Sequence, residues 1–230
     1  MIDARRRHSK PNAKKVMSEP STNIFRRALR EEIASFGLEE LTERQLDQLD
    51  THYSLLIAWN QKINLTRITK PEEAARLHYA ESLYGGLLID DARRILDIGS
   101  GAGFPAVPLA VLRQDIEVTA LEANVKKSVF LKEVKDSLSL PNFKVAAERF
   151  EKFDWSAYDL LTSRAIESGA ALWAGMIARL DSHQRLMLYT TRDVLAALNE
   201  RASSSAGRGR RRVATHPIPH SASRIIAVFE

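Results

Sequence analysis

The sequence contains no cysteine among its 230 residues. This absence excludes disulfide bonds, thiolate metal sites and every reaction that depends on a cysteine nucleophile. Disulfide chemistry therefore says nothing about the compartment in which the protein works, but several classes of enzyme are already excluded.

Long apolar runs are also missing, because no stretch approaches the roughly 20 residues that span a bilayer. The basic N-terminus is not followed by the apolar core of a signal peptide. We therefore expect a soluble, cytoplasmic protein without a membrane partner. With 44% apolar residues, the chain can bury a core large enough for one domain.

Acidic residues are scarce in the first 15 residues, which hold six basic residues against Asp3. The rest of the chain carries 28 residues of each sign, although the whole protein has a formal charge of +5. We interpret residues 1–22 as a disordered basic tail, either a solubilising leader or an arm that seeks nucleic-acid phosphates. A second basic cluster, "GRGRRR" at 207–212, predicts a flexible loop and also favours an RNA or DNA partner.

Residues 23–92 are predicted to form a helical extension. Apolar residues recur at helical spacing in two stretches, which are Phe25, Leu29, Ile33 and Phe36, and then Leu46, Leu49, Tyr53 and Leu56. Thr42 and Gln45 have the spacing of a capping box at the start of the second helix. Pro71 suits the first turn of a third helix, which Gly85 and Gly86 end.

In residues 93–230 the sequence pattern changes to short apolar strand candidates that alternate with helix-length segments. The strand candidates are "RILDI", "IEVTAL", "FKVAA", "YDLLT" and "RLMLY". This alternation predicts an α/β fold with a mostly parallel sheet. The last two candidates, "RRVATH" and "SRIIAVFE", flank a proline-containing turn with no helix between them. They are therefore predicted to form a C-terminal antiparallel hairpin.

The first strand runs into a glycine-rich loop, "ILDIGSGAGFPAVPLA" at 95–110. A dinucleotide fingerprint would need glycine at position 104, which is Phe104, and the third glycine comes early, at Gly103. No lysine occurs between Arg94 and Lys126, so the loop is not a phosphate-binding loop of a nucleotide triphosphatase. What remains is a tight turn at Gly99, Gly101 and Gly103 for an adenosine-bearing ligand, with Asp97 at the strand end.

Glu122 ends the second strand about 20 residues beyond that loop, where a carboxylate accepts hydrogen bonds from ribose hydroxyls. These two motifs resemble those of class I S-adenosylmethionine-dependent methyltransferases, a Rossmann-like fold. Methylation at carbon 5 of cytosine needs a cysteine and is excluded. Amino-group methylation commonly uses an Asn or Asp with prolines after the fourth strand, where this chain reads "LLTSRAIES". A ring nitrogen with its own lone pair, such as guanine N7, needs no base.

Six stretches in order carry a more specific resemblance, from about Leu41 to the C-terminus. They are "AWNQKINLT", "HYAESL", "LDIGSGAGFPAVPLA", "LEANVKKSVFLKEV", "ERFEKF" and "LLTSRAI". The chain resembles the glucose-inhibited division protein B family (RsmG), which methylates N7 of a guanine in small-subunit (16S) rRNA with S-adenosylmethionine. The resemblance implies cofactor contacts at Gly99, Phe104, Phe150, Glu151 and Arg164, with the ribose on Glu122.

Several of these residues also have a plainer interpretation. Phe104 is alternatively a core residue under the loop, and Glu151 a solvated charge. Arg164 follows a buried strand directly, which is costly without an anionic partner. We therefore expect it to contact the cofactor carboxylate or an RNA phosphate, and we take it as the catalytic candidate.

The RNA side of the predicted site combines polar residues of the helical extension with two lysines after the second strand. Its members are Asn64, Thr66, His78, Ser82, Lys126 and Lys127. The alternatives are a structural role for His78 and a solvated helix face for the lysines. No metal site is expected, because His183, His216 and His220 lack ligand spacing. The expected partners are 16S rRNA or the small ribosomal subunit, and the expected state is a monomer.

The chain also departs from the family pattern. Leu77 stands where an arginine usually precedes the helix histidine, Glu81 replaces an aspartate, and Ala106 replaces the fourth glycine. Thr190 and Thr191 replace a lysine–glycine turn. These changes leave open a methyltransferase for another RNA or a small molecule, or a noncatalytic RNA-binding protein with the same fold.

Overall fold

The structure is a computed structural model that describes residues 20–164, 170–204 and 212–230. Most of the predicted basic tail and residues 207–211 of the predicted basic loop lie outside the described residues. The first helix begins at Ser21, so the last two residues assigned to the tail, 21 and 22, are helical.

Two long helices open the described chain, α1 (Ser21–Ser35) and α2 (Glu43–Asn60). The predicted capping box is confirmed, because the Gln45 amide donates to Thr42 Oγ1 at 3.3 Å and the Thr42 amide donates to Gln45 Oε1 at 2.9 Å. All eight residues of the predicted apolar stripes are buried. The sequence pattern therefore gives both the position and the inward face of these helices.

The third helix is interrupted. It begins as α3 (Pro71–Ala74), continues as a π-helical segment (Ala75–Ala80) and ends as α4 (Glu81–Gly85), before a 3₁₀ turn (Gly86–Leu88). Pro71 stands at the start and Gly85 at the end, as predicted. The π segment was not predicted. Such segments are frequent at functional sites because they re-aim side chains within a helix.

A seven-stranded sheet forms the rest, in the order β3-β2-β1-β4-β5-β7-β6. Its strands are β1 (Arg94–Ile98), β2 (Glu117–Leu121), β3 (Phe143–Ala146), β4 (Leu160–Ser163), β5 (Arg185–Thr191), β6 (Val213–Pro217) and β7 (Arg224–Phe229). The first five are parallel, whereas β7 is antiparallel to both β5 and β6. The predicted fold class and hairpin are confirmed.

Helices cover both faces of the sheet. Between the strands run α5 (Ala106–Leu112), α6 (Val125–Ser137), a 3₁₀ turn (Phe150–Lys152), α7 (Ala170–Ile177) and α8 (Arg192–Ser204). The extension α1–α4 shares one core with α5, α6 and one sheet face, and α7 and α8 cover the other face. The carboxyl ends of β1, β2, β4 and β5 therefore meet at one edge of the sheet, which we call the carboxyl edge. None of the described helices combines the length and apolar character that crossing a membrane requires.

Candidate cofactor and methyl-transfer site

The glycine loop after β1 contains three left-handed residues, with φ of +72° at Gly99, +55° at Gly101 and +90° at Gly103. A Cβ added to Gly103 would lie 2.7 Å from Val107 Cγ2. A Cβ added to Gly101 would meet only the Gly99 carbonyl oxygen, at 3.8 Å. Gly103 is therefore needed for close packing of the loop, whereas Gly101 faces open space that a ligand can use.

The buried side chain of His52 in α2 makes a hydrogen bond to the backbone of this loop. Its Nε2 lies 3.0 Å from the Ala102 carbonyl oxygen, and its Nδ1 lies 3.0 Å from the Tyr79 hydroxyl. Since a carbonyl only accepts, Nε2 carries the hydrogen and Nδ1 accepts from the tyrosine. Complete burial lowers the pKa of His52 to about 4, so the ring is neutral near pH 7. No motif in the sequence pointed to His52, although it lies on the buried face of α2.

Asp97 is the last residue but one of β1, and its carboxyl group is fully buried. Neither of its oxygens has a hydrogen-bond partner among the described residues, and the same holds for the hydroxyl of Thr162, its neighbour on β4. Burial raises the pKa of Asp97 to about 7, although the nearby Ser100 hydroxyl and Ala106 amide, which do not reach hydrogen-bond geometry, lower it by a smaller amount. A buried carboxyl group without partners is costly. The arrangement is therefore suited to a ligand that supplies hydrogen-bond donors or positive charge.

Glu122, the predicted ribose acceptor, also braces the loop. Its Oε2 accepts from the Gly101 amide at 2.9 Å, and its Oε1 accepts from the Asn124 amide at 2.8 Å. Each carboxylate oxygen has a second lone pair, so two further hydrogen bonds remain available. One side chain thus fixes Gly101 and the start of α6 while it faces the adjoining cleft.

This cleft of about 250 Å³ lies beside the loop at the carboxyl edge. It brings together four of the predicted cofactor residues, Gly99, Glu122, Phe150 and Glu151. Phe150 is half-buried and stacks on Trp155 with ring centroids 5.9 Å apart. Glu151 is exposed at the rim. The remaining lining residues are Ile98, Leu121, Ala123, Glu148 and Arg149.

A second group of predicted residues meets on the other side of the loop, under the π segment. The His78 ring stacks on Phe104, with centroids 4.5 Å apart and planes inclined by 15°. Its Nε2 lies 2.8 Å from Thr66 Oγ1, whereas its Nδ1 is buried without a partner. Burial first, and Arg164 second, lower the pKa of His78 to about 3. Phe104 is 7% exposed, so packing under the loop accounts for most of its surface.

Arg164 joins this second group through four contacts. Its Nη1 donates to the His78 carbonyl at 3.2 Å and to Ser82 Oγ at 3.1 Å, and its Nη2 donates to the Leu77 carbonyl at 2.7 Å. Nη2 also pairs with Glu81 at 3.2 Å. The anionic partner expected for a buried arginine is therefore present within the chain itself, at Glu81.

The other predicted RNA residues lie outside these two groups. Asn64 and Lys126 are exposed, and Lys127 is half-buried. Asn124 Oδ1 caps α6 by accepting from the amides of Lys126 and Lys127. Within the described ranges, no cluster of three or more histidine, aspartate or glutamate residues is placed to hold a metal ion.

Two further residues of the carboxyl edge had no signal in the sequence. Tyr189 of β5 donates to the Ser82 carbonyl at 3.1 Å and lies under the Arg164 guanidinium, whose carbon is 5.3 Å from the ring centroid. Arg224 begins β7 and pairs with Glu81 at 2.9 Å. Their partners are distant in sequence, so only the order of strands in the sheet brings them together.

Solved structures with the same architecture identify the class of fold. The chain is similar to an S-adenosylmethionine-dependent O-methyltransferase from Thermotoga maritima, with a TM-score of 0.51, 15% identity and coverage of 76% of this chain and 71% of that one. At that identity the likeness shows the fold alone. Together with the strand order, it defines a class I S-adenosylmethionine-dependent methyltransferase fold.

The sequence comparisons narrow this class to one family. Residues 45–220 match the family described as rRNA small subunit methyltransferase G. A protein of that name from Lactococcus lactis subsp. lactis is 31% identical over 202 residues, which are 83% of this chain and 84% of that protein. The chain belongs to this family. Another relative of that name, from Chromobacterium violaceum, is 39% identical over 60% of this chain, and the match spans just under two thirds of its length, 66%.

Proposed function

We propose that the protein transfers a methyl group from S-adenosylmethionine to N7 of a guanine in small-subunit (16S) rRNA. The observation that carries this proposal is the cradle at the carboxyl edge, where an open Gly101, a buried unpartnered Asp97 and the cleft beside Glu122 adjoin one another. Family membership supports rRNA as the substrate.

The residues present fit this cofactor. Glu122 would accept from the ribose hydroxyls through its remaining lone pairs, and Phe150 with Glu151 would flank the adenine in the cleft. The loop at Gly99, Gly101 and Gly103 would approach the ligand closely because no Cβ intervenes. Asp97 would receive positive charge or donors, which removes the cost of its buried carboxyl group.

When bound, S-adenosylmethionine would supply a methyl group on a positively charged sulfur: the lone pair of guanine N7 would form the new nitrogen–carbon bond as the carbon–sulfur bond breaks, with S-adenosylhomocysteine as the leaving group. No proton needs to leave N7 first, so no general base is required, and the protein contributes alignment and electrostatics. His52 and His78 suit this reaction because burial keeps both rings neutral near pH 7. Neither ring then opposes the positive charge that passes to the guanine ring.

Charge on the surface supports an anionic partner near the carboxyl edge. At the opposite edge three basic residues are paired, Arg185 with Asp90, Lys144 with Glu117 and Arg113 with Asp115, whereas Arg94 is not. Near the carboxyl edge, four basic residues in the loop after α2 and at the start of α6 make no ion pair within the described part of the chain. These residues are Lys62, Arg67, Lys126 and Lys127. We infer that they contact the RNA backbone.

The test is transfer of labelled methyl groups from S-adenosylmethionine to small ribosomal subunits that lack the modification, with large ribosomal subunits assayed in parallel. We expect label in the small-subunit rRNA and none in the large-subunit rRNA. Gly101→Asp is the control, because a carboxylate in the open space of the loop excludes the cofactor. Label in neither RNA, from a protein that still binds the cofactor, would contradict the proposed substrate.

A further inference from the structure

Glu81 is a buried acidic residue of the helical extension that pairs with two arginines. It is the first residue of α4, directly after the π segment, and its side chain is 2% exposed. Its two oxygens contact arginines at the ends of different strands. Oε2 lies 3.2 Å from Arg164 Nη2, and Oε1 lies 2.9 Å from Arg224 Nη2. A buried carboxylate shared between two arginines is costly to assemble, because all three charges lose water.

The strands that Glu81 connects are not neighbours. Arg164 follows β4 and Arg224 begins β7, with β5 between them. Glu81 therefore ties together two positions about 10 Å apart across the sheet, at the spacing of about 4.8 Å per strand. Tyr189 of β5, the strand between them, lies under the Arg164 guanidinium. Glu81 thus connects the end of β4 with the start of β7 at the carboxyl edge, and Tyr189 of β5 contacts Arg164 and the Ser82 carbonyl between them.

Arg164 is the link between Glu81 and the π segment. Three of its contacts go to Leu77, His78 and Ser82, and the fourth goes to Glu81. The guanidinium is a planar fork, so a charge partner on one nitrogen fixes the direction of the other donors. Without Glu81, only neutral acceptors would hold Arg164, and it would lie near Arg224 with no charge to balance either side chain.

The π segment in turn carries His78, whose ring lies on Phe104 at the end of the glycine loop. The order of contacts runs from Glu81 to Arg164, to the His78 carbonyl, and through the His78 ring to Phe104. A displacement at the first contact reaches the loop through three packed groups. Reaction rates in such sites are sensitive to displacements of about 1 Å, which can cost roughly 100-fold.

We propose that Glu81 is a positioning residue of the methyl-transfer site, which holds Arg164 and Arg224 at the carboxyl edge and, through Arg164, keeps His78 on Phe104. This inference rests on the proposed function for its kinetic part only. Glu81 touches neither the cleft beside Glu122 nor the loop itself, so it acts through Arg164.

Two measurements on Glu81→Gln test the proposal. At saturating cofactor and varied RNA concentration, we expect kcat to fall about 10- to 100-fold while the KM for RNA stays within about 3-fold, because the lysines proposed to contact RNA are untouched. In NMR spectra, the ring resonances of His78 should shift as the ring leaves the shielding face of Phe104. Exposed His183, before β5, should not shift and is the internal reference.

Matched variants separate positioning from stability. Asp90 lies before β1 and pairs with Arg185 of β5 at 2.5 Å, at the edge of the sheet opposite the carboxyl edge. Asp90→Asn therefore breaks an ion pair of similar kind that lies far from the site. It should leave kcat and the His78 resonances unchanged. Glu81→Asp retains the charge and should recover part of the activity lost in Glu81→Gln.

A Glu81→Gln protein with a lower thermal midpoint but wild-type kcat and unshifted His78 would overturn the proposal, since Glu81 would then serve stability alone. If Glu81→Gln does not fold, Glu81→Asp tests the proposal instead. Its carboxylate is shorter by one methylene group, so it should move Arg164 and shift the ring resonances of His78. An unshifted ring with wild-type kcat would overturn the proposal. If the wild-type protein methylates no RNA, the proposed function fails, and the His78 resonances still decide the role of Glu81.

Discussion

The Nε2 atom of His52 lies 3.0 Å from the carbonyl oxygen of Ala102, so a helix of the N-terminal extension directly supports the glycine loop. The same ring contacts Tyr79 of the π segment through Nδ1. The extension is therefore part of the site. It shares a core with the sheet, and it fixes the loop that would hold the cofactor.

Replacing His52 by leucine is expected to weaken this support. The Ala102 carbonyl and the Tyr79 hydroxyl would be buried without partners, which costs about 1–3 kcal/mol each in the free energy of unfolding. Chemical denaturation measures that loss, and calorimetry should show weaker binding of S-adenosylhomocysteine. His52→Gln retains a donor and should bind more tightly than His52→Leu. Equal affinities for the two variants would contradict a role for the hydrogen bond.

The two inner glycines of the loop should respond differently to alanine. Gly103→Ala places a methyl group 2.7 Å from Val107 Cγ2 at a φ of +90°, so we expect the free energy of unfolding to fall by about 2–4 kcal/mol. Gly101→Ala meets no such clash and should cost about 1 kcal/mol from its φ of +55° alone. Its larger effect should be on cofactor affinity. Urea denaturation and calorimetry of both variants test this contrast, and equal losses of stability would contradict it.

Asp97 should make the stability of the ligand-free protein depend on pH. Its folded pKa of about 7 lies above its ordinary value of 3.8, so the folded protein binds this proton more tightly than the unfolded chain. The resulting stability is fully present below pH 3.8 and is lost as the pH rises to about 7. The slope of this contribution approaches about 1.4 kcal/mol per pH unit.

Asp97→Asn removes this contribution. Urea unfolding from pH 5 to 8 should therefore show the wild-type protein losing stability relative to the variant up to about pH 7, and a constant difference above it. Excess S-adenosylmethionine at pH 8 should stabilise the wild type more than the variant. Parallel pH profiles would show that Asp97 does not titrate in this range.

The unpaired lysines at the start of α6 should control the salt dependence of RNA binding. Each phosphate contact contributes about 0.7–0.9 to the slope of log affinity against log salt concentration. Replacing Lys126 and Lys127 together by alanine should lower that slope by about 1–2. Lys144→Ala removes a cation already paired with Glu117 and is the control. Fluorescence anisotropy with a small-subunit rRNA fragment measures the slope, and an unchanged slope would place the RNA elsewhere.

Local patterns allowed much of the fold to be predicted. The capping box at Thr42 depends on residues three apart, and the C-terminal hairpin depends on a short turn without a helix. The glycine loop and Glu122 follow strands whose carboxyl ends must share one edge, so their proximity could be predicted as well. Local spacing fixes these features because the residues that form them are close in sequence or topologically constrained.

The remainder of the site depends on contacts between distant segments. The π segment was missed because its apolar residues also fit an ordinary helix. Glu81 meets Arg164 and Arg224 only because β4, β5 and β7 are neighbours in the sheet, and no spacing in the sequence reveals that order. The same holds for His52 and Ala102, which are 50 residues apart.

The chemical identity of the methylated nucleoside tests the proposed reaction most directly. Small ribosomal subunits lacking the modification are incubated with the protein and S-adenosylmethionine, and their digested rRNA is analysed by mass spectrometry. We predict a stoichiometric gain of 7-methylguanosine at one site, which Gly101→Asp abolishes. A gain of any other methylated nucleoside, or no gain from protein that binds the cofactor, would contradict it.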